Sequence, residues 1–331
     1  NINWRVSLSN NSYIDDYPST FNSHIPITCV NIDDDESNEI CLILRNIFEE
    51  IGKSLNIKSL KGISIALGDE GYRKAIDLID STRQVSNGEV IGCALTISNI
   101  IEGVLESYIV LKDVSIVPLL VEKAAKDEEQ VAFMLQVIAH ECGHIHGDDL
   151  FYEIMGDVPK IEDYESHYAA FIYDISTVGW SEFSACFFSA HIGLCPEEDF
   201  RGIVESKVEN IVNELESLKF MRLESLDLLI SVYKNIGNLI KYSSYYLGWM
   251  FNSKLKPEKT KLYESLEDNW FLSYFLELDK IYENILSKLS NEQLEFDEIL
   301  EIGHLSKRIA KHFGFTTTVD QSNGTGIFFM A

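Results

Sequence analysis

The chain has 331 residues, 46% of them hydrophobic and 11% aromatic, which is ample for a buried core and excludes a disordered polypeptide. Its formal net charge of −26 argues against a nucleic-acid surface, because a phosphate backbone would be repelled, and solubility is the plain reading of that acidity. Six widely spaced cysteines (Cys29, Cys41, Cys93, Cys142, Cys186 and Cys195), with no CxxC pair, read as mostly buried free thiols of a reducing compartment.

Residues 1–36 are polar, rich in Asn, Ser and Asp, and end in the acidic run Asp33, Asp34, Asp35, Glu36; loops and at most one strand are expected there. There is no secretory apolar region at the start. The sequence opens at Asn1 without a methionine, so an upstream signal is left open and a cytoplasmic location is the expectation. A helix is predicted over about 37–55, with Ile40, Leu44, Ile47 and Ile51 on one stripe. Three strand-like runs follow: GISIAL at 62–67, VIGCALTI at 90–97 and SYIVLK at 107–112, with a helix near 70–82 between the first two. The layout is α+β, a small mixed sheet with helices laid against it.

The next helix has the clearest pattern in the chain. Asp127 and Gln130 have the spacing of a capping box, and Gly147 supplies a stop after His146. Between them Val131, Met134, Leu135, Ile138, Cys142 and Ile145 recur at helical spacing as one core-facing stripe. His140 and His144 lie two positions beyond Ile138 and Cys142, about 200° around the helix, so they project together from a different face. A second, shorter helix is expected over about 181–192. Its small residues Ala185, Cys186 and Ser189 share a face with Glu182, which allows close approach to a neighbour, while Phe183, Phe187 and Ala190 face other packing.

From about residue 200 the pattern is almost wholly helical. Ile203, Val208, Ile211, Leu215 and Leu218 mark the first helix, and segments near 223–250, 260–289 and 293–313 follow. The apolar stretch from Leu226 to Phe251 is interrupted by Lys234, Asn235, Asn238 and Lys241, so it reads as a buried helix and not a membrane span. Pro257 separates the middle pair, Gly314 ends the last helix, and the tail reads as two short strands around a turn. The expected organisation is an α+β domain over 1–199 and a helical bundle over 200–331, with the strand-like tail.

The chemistry concentrates in VIAHECGHIHG, residues 137–147. His140, Glu141 and His144 fit H-E-x-x-H. Positions i and i+4 put two imidazoles on one side of a helix, close enough to share a tetrahedral ion, and Glu141 beside them can take a proton from a metal-bound water. A catalytic zinc takes a third protein ligand, a histidine or a carboxylate. Position 150 is Leu, which closes the metzincin extension, and Glu182 is the best downstream candidate.

HECGH followed by WSEFSACFFSA resembles the HExxH…ExxA pattern of gluzincin-type zinc metallopeptidases, and among them the ImmA/IrrE-like group, over roughly residues 60–195. The resemblance implies a zincin-like domain with His140, His144 and Glu182 as zinc ligands and Glu141 as general base. It also implies that SYIVLK is an edge strand pairing with an extended peptide, where main-chain hydrogen bonds give affinity. One position departs. Those families carry Asp or Asn four residues after the ligand glutamate, holding a ligand histidine, and here Cys186 stands there; Asp148, Asp149 or a backbone carbonyl are the candidate substitutes.

Other residues carry weaker signals. His146 points away from the pair and reads as a surface or outer residue; His167, Tyr164 and Tyr168 are candidate oxyanion donors; His191 and Cys142 read as structural; His304 and His312 have no spacing signal. The leading expectation is a zinc-dependent metallopeptidase acting on a protein or peptide, with no nucleic-acid or membrane partner. The alternative is a non-catalytic zincin-like binding or regulatory module that acts through its helical bundle. A small-peptide aminopeptidase ranks last, since no GxMEN-like stretch offers a site for a free amino terminus.

Overall fold

A computed structural model describes residues 18–32, 34–82, 92–156, 166–221, 223–291, 293–320 and 324–329. They form two compact units, one from 1–152 and 188–195, the other from 153–187 and 196–331. The fold is α+β, as expected, with one small mixed sheet and many helices.

The first unit holds β1 (Ile27–Val30), α1 (Asp34–Ile51), β2 (Leu60–Ala66), α2 (Gly68–Ile79), β3 (Ala94–Ile101), β4 (Val104–Lys112) and α3 (Glu128–Met155). The sheet order is β1-β2-β4-β3, parallel except for the antiparallel β3–β4 pair. Alternation along the strands sends Ile63, Ile65, Ile109 and Leu111 to one face, where they pack with Leu44, Ile47 and Ile51 of α1 and Met134, Leu135, Ile138 and Cys142 of α3. Ala66, Ile97 and Val110 point to the other face, against Tyr72, Ala75 and Ile76 of α2. Each fully buried aliphatic side chain of this kind contributes about 1.5–3 kcal/mol. Glu102 (φ 52°) and Gly103 (φ 77°) join β3 to β4 in a two-residue turn whose positive φ values match the twist of the hairpin.

Several expectations are corrected here. SYIVLK is not an edge strand: β4 is paired with β2 on one side and β3 on the other, and the exposed edge on that side of the sheet is β3. Gly147 does not end the histidine-bearing helix; it is buried inside α3, which runs on to Met155. A helical Gly costs about 1 kcal/mol, which anchoring farther on outweighs, since the Tyr152 hydroxyl donates to the Gly103 carbonyl over 2.6 Å. The stop is Gly156, in the left-handed region at φ 65°. At the start, the Asp127 carboxylate accepts from Glu129 N (3.1 Å) and Gln130 N (3.3 Å), while its own N–H donates to Ala124 O (3.1 Å), so the reciprocal half of the capping box is replaced. None of the six cysteines is in a disulfide, but three are half-buried and Cys195 is exposed, and Cys29 Sγ of β1 lies 3.9 Å from Cys41 Sγ of α1.

The second unit contains α4 (His167–Ser189, counted with this unit through residue 187), α5 (Glu197–Leu218), α6 (Ser225–Asn252), α7 (Leu272–Ser290), α8 (Phe296–His312) and the hairpin β5 (Phe315–Asp320) with β6 (Gly324–Phe329). The helix expected near 181 begins earlier, at His167, because α4 is packed on several sides and its apolar residues show no single stripe. Gly303 of α8 sits so close to α4 that an added Cβ would strike the Ile172 carbonyl and the Ser176 hydroxyl, and the Phe183 ring stacks on Tyr282 of α7 at 3.8 Å. The single helix expected over 260–289 is two. A short turn, Lys261–Ser265, is capped by Thr260 Oγ1 accepting from Tyr263 N (3.2 Å), and α7 restarts after Asn269 Oδ1 accepts from Phe271 N (2.9 Å). The tail forms the expected two strands, and its hairpin packs on α6 and α8, with Thr317 Oγ1 3.0 Å from the Tyr233 hydroxyl. Among the described residues no helix is long and apolar enough to cross a membrane.

Candidate metal centre

On α3 the buried stripe fixes the rotation of the helix: Ile138 and Cys142 are fully buried against the sheet. His140 and His144 are only half-buried, and their rings meet edge to face with centroids 4.7 Å apart, the pairing that i,i+4 spacing dictates. Glu141 is buried, 7% exposed. The hydroxyl of Thr96 on β3 donates to its carboxylate (Oε2, 2.7 Å), with the Glu141 carbonyl oxygen 3.0 Å away as a second acceptor. A charge-assisted hydrogen bond of this kind orients the carboxylate and keeps its burial affordable in energy.

Glu182 is buried on α4, and Lys241 of α6 places its ammonium 2.9 Å from Glu182 Oε1. One turn along, Cys186 is 2% exposed, and burial followed by the charge of Glu182 pushes its thiol well above the ordinary range, so it stays protonated. The small face expected around Cys186 has a partner. An added Cβ on Gly248 of α6 would lie 2.8 Å from Cys186 Cβ and would strike the Phe183 carbonyl, so the two helix backbones approach closely at this point. Position 186 is thereby committed to packing.

His140, His144 and Glu182 each offer one ligand atom, these atoms lie within 4.8 Å of one another, and the group could hold a metal ion. Two imidazole nitrogens and one carboxylate oxygen form a donor set that suits zinc and related divalent transition metals.

The other sequence candidates fall as follows. His146 is half-buried: Asn56 N donates to its Nδ1 over 2.7 Å, its ring lies 4.2 Å from that of Phe188, and burial lowers its pKa to about 4. Tyr168 packs edge to face on Tyr233 with ring centroids 5.8 Å apart, with Lys307 over its ring, and His167 is exposed at the start of α4. Tyr164 lies outside the described residues. Burial raises the pKa of Asp149, with its bonding to Ser59 acting the other way. Cys142 is fully buried and held as a thiol by burial and then by the charge of Glu141. Burial lowers the pKa of His191, in keeping with a structural role.

Thr96 and Lys241, which contact Glu141 and Glu182, are residues that the sequence reading missed. Thr96 sits in an ordinary strand alternation that carries no signal. Lys241 had one, as a charge interrupting an apolar helix, and it was read only as evidence against a membrane span. No protein-family model, curated protein or solved structure matches the chain.

Proposed function

We propose that the chain is a zinc-dependent metallopeptidase with a zincin-like domain over 1–199, His140, His144 and Glu182 as ligands and Glu141 as general base. The observation that carries this reading is the set of three donors within 4.8 Å of one another, two of them spaced around a buried glutamate. Zinc bound there would polarise the scissile carbonyl and bring the pKa of its water towards ~7. Glu141 would receive the proton of the attacking water on its carboxylate, which Thr96 orients through Oε2. The exposed edge of β3, which carries Thr96, would offer its main-chain groups to an extended peptide, so that one strand would hold the substrate and the hydroxyl that orients the general base.

One observation favours a second reading, a zincin-like module that binds metal without turnover: Cys186 stands where the resembling families carry an acceptor for a ligand histidine, and it is packed against α6. The two readings separate on Glu141→Gln. Metal content is measured for the wild type, His140→Ala, Glu182→Ala and Glu141→Gln, and cleavage of a mixed peptide library is followed by mass spectrometry. The peptidase reading expects about one zinc per chain, lost from the two ligand variants and retained in Glu141→Gln, whose cleavage is abolished. A wild type that binds no zinc rejects the metal centre; one that binds zinc and cleaves nothing favours the binding module.

A further inference from the structure

The zinc reading leaves one close contact without a role. Lys241 holds an oxygen of the very carboxylate proposed as third ligand, 2.9 Å from Oε1. We propose that Lys241 is the positioning residue for that ligand: its ammonium takes one oxygen of Glu182 and directs the other oxygen to the metal. The inference rests on the metal-centre reading above.

Three observations carry it. The Glu182 side chain is 10% exposed, and a polar group buried to that degree needs a partner that fixes its direction, which the ammonium 2.9 Å from Oε1 supplies. The Lys241 side chain is 33% exposed, so it extends its stem over the protein and supplies the charge while remaining partly hydrated. Its place is also fixed. Leu239, Ile240, Ser243 and Ser244 of α6 are fully buried, and the close approach at Gly248 locks α6 to α4 about two turns farther on, so residues 241 and 182 are held in register by both backbones.

The composition of α6 points the same way. Among the polar residues that interrupt its apolar stretch, Asn235 is used structurally: its Oδ1 accepts from the buried Lys207 (3.3 Å) and its Nδ2 donates to the Ser231 carbonyl (3.0 Å). Lys241 is used at the ligand. Its ammonium also lies 5.9 Å from the centre of the Tyr245 ring, which steadies the side chain on the side of α6 that faces Glu182. Holding a ligand from outside in this way fixes its direction and strengthens the metal site, as carboxylates do for ligand histidines.

The competing account is that the ammonium merely occupies the place of the metal at Glu182. The two predict opposite signs. Zinc affinity is measured by competition with a chromophoric chelator for the wild type, Lys241→Met, Lys241→Arg and His140→Ala, with cobalt(II) as a spectroscopic probe of the ligand field. The expected result is a zinc Kd weakened about 10–100-fold in Lys241→Met, a changed cobalt spectrum, and recovery of most of the affinity in Lys241→Arg. Lys241→Gln carries the same expected loss and replaces the Met variant if metal-free unfolding shows that Met disturbs the fold. Unchanged or tighter zinc binding without the ammonium overturns the positioning role and leaves the metal centre standing. A wild type whose zinc binding is as weak as that of His140→Ala overturns the metal centre, and this role with it.

Discussion

The Thr96 hydroxyl lies 2.7 Å from Glu141 Oε2 and joins the edge strand β3 to the histidine-bearing helix α3. Thr96→Val removes that donor without a large change in volume. The buried carboxylate then loses a charge-assisted partner, at a cost of about 1.5–3 kcal/mol, while the ligand histidines stay in place. Urea unfolding is expected to show that loss in the metal-free protein, and kcat on a cleaved peptide should fall about 10–100-fold with zinc content unchanged. Thr96→Ser keeps the hydroxyl and should recover most of both. Equal kcat in the wild type and Thr96→Val would remove Thr96 from the mechanism.

Gly248 and Gly202 make a matched pair. An added Cβ at Gly248 would strike the Phe183 carbonyl and lie 2.8 Å from Cys186 Cβ, whereas one at Gly202 of α5 meets nothing within 4 Å. Gly248→Ala should therefore destabilise the protein by about 1–3 kcal/mol through overpacking, and should weaken zinc binding because it displaces the helix that carries Glu182. Gly202→Ala should stabilise by about 0.5–1 kcal/mol from helix propensity alone. Denaturant midpoints moving in the same direction for both variants would contradict the close approach of α4 and α6.

Asp279 on α7, which is not one of the candidate ligands, supplies a pH dependence. Burial first, and then the charge of Glu283, raise its carboxyl from 3.8 to about 6. The folded state thus keeps a proton that the unfolded chain has released. Stability from this group is fully present below about pH 4 and is lost as pH rises through about 6. Asp279→Asn removes the titration, so it should be more stable than the wild type at pH 8, by about 1 kcal/mol after allowance for partial exposure, and equally stable at pH 4. Urea unfolding at the two pH values tests this; a difference independent of pH would reject it.

The elements that could be read in advance are those whose signal is local. Helical periodicity alone puts His140 and His144 on one face and Ile138 and Cys142 on another, and α3 shows that division as a half-buried ring pair beside fully buried core residues. The α1 stripe, the three strands and the closing glycine at 314 (φ 84°) were legible for the same reason, since alternation, period and turn chemistry are set within a few residues. The limits of these elements were not legible. α3 passes through Gly147, and α4 begins at His167, because packing and anchoring farther along outweigh about 1 kcal/mol of local preference.

By itself, then, the sequence determined the α+β layout, the paired histidines and the glutamate between them. Tertiary structure decided which strand became the edge, that His146 turned inward to accept from Asn56, that Cys186 was given to packing against Gly248, and that Thr96 and Lys241 reached Glu141 and Glu182. Those outcomes depend on contacts between residues far apart in the chain. Such contacts are ranked by burial and by hydrogen-bond satisfaction once the elements pack, and a local pattern of residues does not encode that ranking.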